Sequence, residues 1–219
     1  MAVALWFVPQ ASSNTYVALQ SLILSLQTLF PDAPSFEPHL TVTSQLKCET
    51  REQAHEILAA CVAAVEAVRG AVGRGGDATS QDLVAFSGVG IGKSYFRKVR
   101  LECVANKYLV SVAQLMRELF VCDSAEQASH WAVREFAPHV SLVYSDVYHV
   151  NQAVRRVLVQ RIEDALDGEL RPCAAVADGD DAAWLCARQL RGWGLPGQFK
   201  VVRCEGGVAE WQVLASVEV

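Results

Sequence analysis

The sequence predicts an α+β fold of two similar lobes, each a small antiparallel sheet with helices on its outer face. Three observations predict it. Strand-like and helix-like stretches alternate along the chain. A short phrase occurs twice, FEPHLTVTS from Phe36 and FAPHVSLVYS from Phe136, which sets His39 and His139 one hundred residues apart. Each copy stands between helical stretches, so each can be the motif strand of its own lobe. Two copies at one offset mark a duplication rather than a solenoid. Residues 1–219 are assigned to one domain of two intertwined lobes, related by a pseudo-twofold axis with the cleft between them.

The first element is a strand over 3–8, stopped by Pro9. A helix follows over 13–30, capped by Ser13 or Asn14, with Leu19, Leu22, Leu26 and Leu29 or Phe30 as its apolar stripe. Pro31, Pro34 and Pro38 stiffen the next loop. HLTVTSQL reads as a strand. The helix over 50–70 starts with a Thr50–Gln53 capping box and is expected to end at Gly70. Flexible loops are expected near 69–82 and 167–182. LVAFSGVGIG reads as a strand running into a glycine-rich turn, and SYFRKVRLECV as a further strand. Helices are expected near 106–121 and 124–134, then the second motif strand, then a helix over 150–168. Strands near 184–190, 198–204 and 210–219 close the chain, with CEGGVAE as a hairpin turn.

Composition narrows the function classes. Apolar residues make up 52% and charged residues 20%, enough for a substantial core. A formal charge of −5 argues against a nonspecific grip on long nucleic acid. Seven cysteines, an odd number with no CxxC pair, fit buried free thiols in a reducing compartment. The N-terminus lacks the basic region of a signal peptide, and no apolar run is long enough to span a membrane. The expectation is an intracellular, soluble, cytoplasmic monomer with no cofactor and no metal.

The repeated phrase carries the chemistry. Alternate side chains of a strand share a face. His39, Thr41 and Thr43 are therefore expected on one side, and His139 and Ser141 on theirs, with the aliphatic residues under the helices. Facing lobes would bring two imidazoles and two hydroxyls together. Acid–base cleavage of a phosphodiester wants that set. A neutral imidazole takes a proton from the nucleophile, an imidazolium gives one to the leaving oxygen, and histidine supplies both forms near neutrality. The hydroxyls hold the nonbridging oxygens where charge builds. Pro38 and Pro138 fix how the chain enters each strand. The roles are nearly interchangeable; the assignment taken forward is His139 as base and His39 as acid. His55, His130 and His149 lie in helical or polar stretches and read as surface residues.

Other signals are weaker. GVGIGKS misses a nucleotide-binding P-loop: three residues, not four, separate Gly88 from Gly92, and a strand follows instead of a helix. The glycine-rich turn can still line the cleft and present Lys93 and Tyr95 to a nucleotide, the ring stacking on a base. Asp178, Asp180 and Asp181 read as a solvated loop. No cysteine stands in the setting of a thiol nucleophile.

PHLTVTS and PHVSLVYS resemble the paired His-x-Thr/Ser motifs of the two-histidine (2H) phosphoesterase superfamily. ALWFVP, LQTLFPDAPSFEPHLTVTS, PHVSLVYSD, QRIEDALD and FKVVRCEGGVAEWQVL are similar to the fungal 2′,3′-cyclic-nucleotide 3′-phosphodiesterase family over nearly the whole chain. The resemblance implies the bilobal fold of that superfamily. It implies hydrolysis of nucleoside 2′,3′-cyclic phosphates to 2′-phosphates. It also implies action on ADP-ribose 1″,2″-cyclic phosphate, a by-product of tRNA splicing. Its functional residues fall on His39, Thr41, His139 and Ser141. Plant relatives add a tyrosine that falls on Tyr144, although strict alternation would turn Tyr144 away from Ser141. An RNA end-processing phosphodiesterase or ligase, and a non-catalytic nucleotide-binding module, are the alternatives. Association with an internal membrane compartment such as the Golgi stays open.

Overall fold

A computed structural model describes residues 2–74, 83–173 and 182–219. It is an α+β fold. The strands are β1 (Ala2–Pro9), β2 (Leu40–Leu46), β3 (Val84–Ile91), β4 (Val99–Cys103), β5 (His139–Val143), β6 (Leu170–Pro172), β7 (Ala182–Trp193), β8 (Gly197–Cys204) and β9 (Gln212–Glu218). The helices are α1 (Asn14–Leu26), α2 (Arg51–Arg74), α3 (Lys107–Phe120), α4 (Ala125–Arg134) and α5 (Gln152–Leu166). Where two small sheets were expected, the strands hydrogen-bond into one nine-stranded antiparallel sheet, in the order β6-β7-β3-β4-β5-β2-β1-β8-β9. The two motif strands, β5 and β2, are neighbours inside it. They meet through the single register pair Leu40↔Val140, again one hundred residues apart.

Side-chain caps set the helix starts. Ser13 Oγ accepts from Tyr16 N at 3.1 Å, and Asn106, Ser124 and Asn151 do the same for α3, α4 and α5. The capping box forms: Gln53 N donates to Thr50 Oγ1 at 3.3 Å and Thr50 N to Gln53 Oε1 at 3.1 Å. The core lies on one face of the sheet. Leu19 and Ile23 of α1, Ile57 and Cys61 of α2, Val112 and Met116 of α3 and Leu158 and Ile162 of α5 pack there. They meet Leu5, Phe7, Leu40, Val42, Leu101 and Val140. Each such large side chain stabilises the fold by about 1.5–3 kcal/mol when fully buried. The other face carries a smaller apolar cluster of Ala4, Trp6, Val8 and Val202.

Several expected boundaries move. α2 runs through Gly70 to Arg74, because one glycine weakens a helix without forcing it to end. Gly88 and Gly90 lie inside β3, not in a turn; a Cβ at Gly88 would come 2.3 Å from the Trp184 carbonyl oxygen on β7. The expected strand over 94–104 begins with a 3₁₀ turn, Tyr95–Arg97, and only then becomes β4. The expected loop over 167–182 contains β6, which pairs with β7. Asp178, Asp180 and Asp181 lie outside the described residues.

One departure from simple alternation repeats. Along β1, Leu5 pairs with Thr43 but Trp6 with Thr41, so Val42 is an extra residue. Along β4, Val99 pairs with Val143 but Arg100 with Ser141, so Leu142 is extra. Val42 and Leu142 are equivalent positions of the repeated phrase. Each marks a β-bulge directly after the motif hydroxyl, and a bulge re-aims every side chain beyond it.

Candidate active site

The bulge decides which residues share the site. Directly paired residues lie on the same face of a sheet. Thr41 therefore shares its face with Trp6, and Ser141 with Arg100. Thr43 does not join them. It pairs with the core residue Leu5, and Arg117 Nη1 of α3 donates to its hydroxyl at 3.3 Å. This corrects the expectation that His39, Thr41 and Thr43 line one face. The same inversion brings Tyr144 back to the side of Ser141. Its ring lies 6.0 Å from Trp211 and 4.4 Å from Phe36. Burial pushes its hydroxyl up to about 12, while a hydrogen bond from the Ser141 hydroxyl works in the opposite direction.

Both histidines are held in the same way. His39 Nδ1 lies 2.7 Å from the Glu37 carbonyl oxygen, and His139 Nδ1 lies 2.9 Å from the Ala137 carbonyl oxygen. A carbonyl only accepts, so Nδ1 carries the hydrogen in each ring. The neutral form therefore keeps its free lone pair on Nε2. Each ring is fixed by the backbone two residues earlier, on the far side of Pro38 or Pro138.

Their surroundings differ. His39 is 5% exposed. It stacks on Trp6, with ring centroids 3.6 Å apart and planes 10° from parallel. The rings continue from Trp6 to Trp211 at 5.7 Å, Trp211 to Tyr144, Tyr144 to Phe36, and Phe36 back to His39 at 6.2 Å. This closed aromatic circuit takes the imidazole out of water. Burial is the main reason that His39 falls to about 4; the Glu37 carbonyl opposes the fall, and His139 and Lys200 add to it. Lys200, opposite Trp6 on β8, is paired with Glu37 at 2.7 Å. The Tyr16 hydroxyl reaches the same carboxylate at 3.4 Å.

His139 is partly exposed and stands opposite Glu102 on β4. Burial lowers it as well. The Ala137 carbonyl and the Glu102 carboxylate pull it back up, and Arg100 and Arg97 push it down. Arg100 Nε lies 2.8 Å from Glu102 Oε1. The structure thus puts an imidazole in an aromatic cage beside an imidazole among charges. They are close enough for His139 to lower His39.

The remaining expected residues divide. Tyr95 is partly buried and stacks on Tyr144 at 5.9 Å. Lys93 lies exposed on the turn before it. His55, His130 and His149 are exposed, as expected. Burial pushes the Cys204 thiol up to about 11, against a thiolate role there. Among the described residues, no three His, Cys, Asp or Glu side chains cluster as a metal site would require. No helix among them is long and apolar enough to cross a membrane. Trp6, Trp211, Lys200, Arg100 and Glu102 were not anticipated. Strict alternation in ALWFV and FKVV sets Trp6 opposite in face to Leu5 and Phe7, and Lys200 opposite to Phe199 and Val201. That signal was available.

Comparison with known proteins gives the family. The family described as cyclic phosphodiesterase-like protein matches residues 1–219. A protein of Eremothecium gossypii named 2′,3′-cyclic-nucleotide 3′-phosphodiesterase is 51% identical over the full length of both chains. Proteins of the same name from Saccharomyces cerevisiae and Kluyveromyces lactis are 46% and 44% identical, each covering 100% of this chain and 99% or more of their own. The chain belongs to the cyclic phosphodiesterase-like protein family.

Proposed function

We propose that the chain hydrolyses nucleoside 2′,3′-cyclic phosphates to nucleoside 2′-phosphates by acid–base catalysis on His39 and His139, without a metal. The observation that carries the reading is the matched pair of imidazoles. Both are fixed by Nδ1 to a backbone carbonyl, which leaves Nε2 to exchange the proton, and they stand side by side, His39 directly before β2 and His139 at the start of the neighbouring β5. The names of the relatives supply the substrate class. ADP-ribose 1″,2″-cyclic phosphate presents the same five-membered cyclic phosphate on a ribose and falls under the same reading.

The two motif halves are read as pseudo-twofold copies with the cleft between them. The self-equivalent pair Leu40↔Val140 and the bulges at Val42 and Leu142 support this. Thr41 and Ser141 then approach the phosphate from opposite sides and hold its nonbridging oxygens. Tyr144 supports Ser141, and Tyr95 extends that side toward the nucleoside. Lys93 carries no step.

Water attacks phosphorus in line with the departing 3′ oxygen. One imidazole removes a proton from the water and the other protonates the leaving oxygen, each contributing about 10²–10⁴-fold. The surroundings favour the reverse of the assignment made from sequence. His39, held to about 4, is neutral at pH 7 and ready to accept a proton. His139 has a carboxylate opposite it and is the easier of the two to protonate. His39 is therefore the base and His139 the acid.

Phosphorus NMR of the protein with 2′,3′-cyclic AMP in excess EDTA tests the reaction. Conversion to the 2′-phosphate alone is expected. A 3′-phosphate would overturn the leaving-group assignment, and no turnover of any cyclic phosphate would leave a binding module. Catechol cyclic phosphate, whose leaving oxygen needs no proton, tests the roles. His139→Ala should keep much of its activity on it and His39→Ala should not; the opposite ranking would restore the first assignment.

A further inference from the structure

Both histidines are depressed in the resting protein, yet the acid must hold a proton when substrate is bound. The residues beside His139 offer a way to deliver it. On β4, Arg100 stands opposite Ser141 and Glu102 opposite His139, so both side chains rise from the face that carries the site. At rest they hold each other at 2.8 Å, with side chains 23% and 34% exposed. Arg100 Nη1 also donates to the Arg97 carbonyl at 3.2 Å. The guanidinium lies over β3. A Cβ added at Gly90 would come 2.8 Å from Arg100 Cζ and 2.6 Å from Glu102 Oε1. The first half has Lys200 opposite Trp6 where the second has Gly90 opposite Arg100. The glycine thus clears a resting place for the ion pair one strand away from the phosphate position.

We infer that Arg100 and Glu102 form an exchangeable couple: a phosphate seated on Ser141 draws Arg100 onto its oxygens, and the released Glu102 carboxylate holds a proton on His139. One ion pair is exchanged for two, guanidinium with phosphate and carboxylate with imidazolium. The proton comes from solvent as the substrate binds. It leaves on the 3′ oxygen, and the proton that His39 takes from water returns to solvent with the product. The groups that act on His139 are the Ala137 carbonyl, Glu102 and Arg100 of β4 and Arg97 of the 3₁₀ turn, and His139 in turn acts on His39 before β2. Arg100 is in this account a phosphate-binding residue and Glu102 a positioning residue. The inference rests on the acid role given to His139.

Inorganic sulfate tests it on the full chain, because sulfate stays a dianion near neutral pH and is not turned over. Histidine NMR follows five imidazoles, and the signal lost in His139→Ala identifies the one that matters. Sulfate should raise the His139 midpoint by about one unit or more, and in Glu102→Gln that rise should shrink by about one unit. An equal rise in both proteins overturns the role of the carboxylate. Arg100→Gln should weaken sulfate about tenfold or more; unchanged affinity overturns the exchange. Gly90→Ala leaves both partners in place and crowds only their resting position. It should tighten sulfate binding, and unchanged or weaker binding counts against the couple. None of these readouts needs turnover. A protein that passes them but hydrolyses no cyclic phosphate fails the proposed function alone.

Discussion

The two copies of the histidine motif share a backbone and differ in their neighbours. In each, a proline leads in, a carbonyl two residues back holds Nδ1, a hydroxyl follows, and a bulge comes next. Beyond that the copies part. Opposite the hydroxyl stands Trp6 in one half and Arg100 in the other. His39 sits within a ring of aromatic faces, and His139 sits among Glu102, Arg100 and Arg97. Backbone geometry aims an imidazole, and neighbours decide whether it carries a proton. The aim is the same in both copies, and a few facing residues give the two rings different surroundings.

The largest test of that contrast removes each ring. His39→Ala and His139→Ala should each lower kcat by about 10²–10⁴-fold, with circular dichroism showing a folded protein. Full activity in either variant would end the two-histidine account. The next removes the cage. Trp6→Ala should destabilise the fold by about 3–5 kcal/mol in denaturant melts. It should also lift His39 from about 4 toward its ordinary 6.5, read by NMR titration; an unmoved His39 would mean that the ring does not shield it.

The third test uses pH. His39 has a lower value in the folded protein, about 4, than the 6.5 of an unshielded imidazole. Between those values the unfolded chain binds more protons, so stability is complete above about 6.5 and falls as pH drops toward 4. His39→Gln should remove on the order of 3 kcal/mol of that fall, measured as the difference between wild-type and variant melts across the window. Identical slopes would contradict the shielding. The smallest effect belongs to Lys200→Gln. Removing that charge should raise His39 by less than about one unit, and a larger rise would make charge rather than burial the main cause.

Much of this was legible in the residues. The repeated phrase marked both histidines and both hydroxyls, and capping residues marked where the helices begin. The bulge was not legible. One extra residue in a β-strand leaves no mark on composition, so alternation was carried past Val42 and Leu142 with the wrong parity. Thr43 was thereby given to the site and Tyr144 turned from it. The joining of the strands into one sheet was also hidden, because pairing between distant segments is decided by the whole core. Gly88 and Gly90 read as a turn because glycine is rare inside strands. Their reason lies across the sheet, in the close Trp184 backbone and in the space taken by Arg100 and Glu102.

The register pair Leu40↔Val140 has a mechanical meaning. It is the seam between the two halves of the sheet, one pair wide, and a motif imidazole directly precedes each of its members. A slip of one residue at that seam would shift one ring by roughly 3.3 Å along its strand and turn it to the opposite face. The spacing of the two imidazoles is thus set by the alignment of two halves of one chain, like the jaws of a caliper.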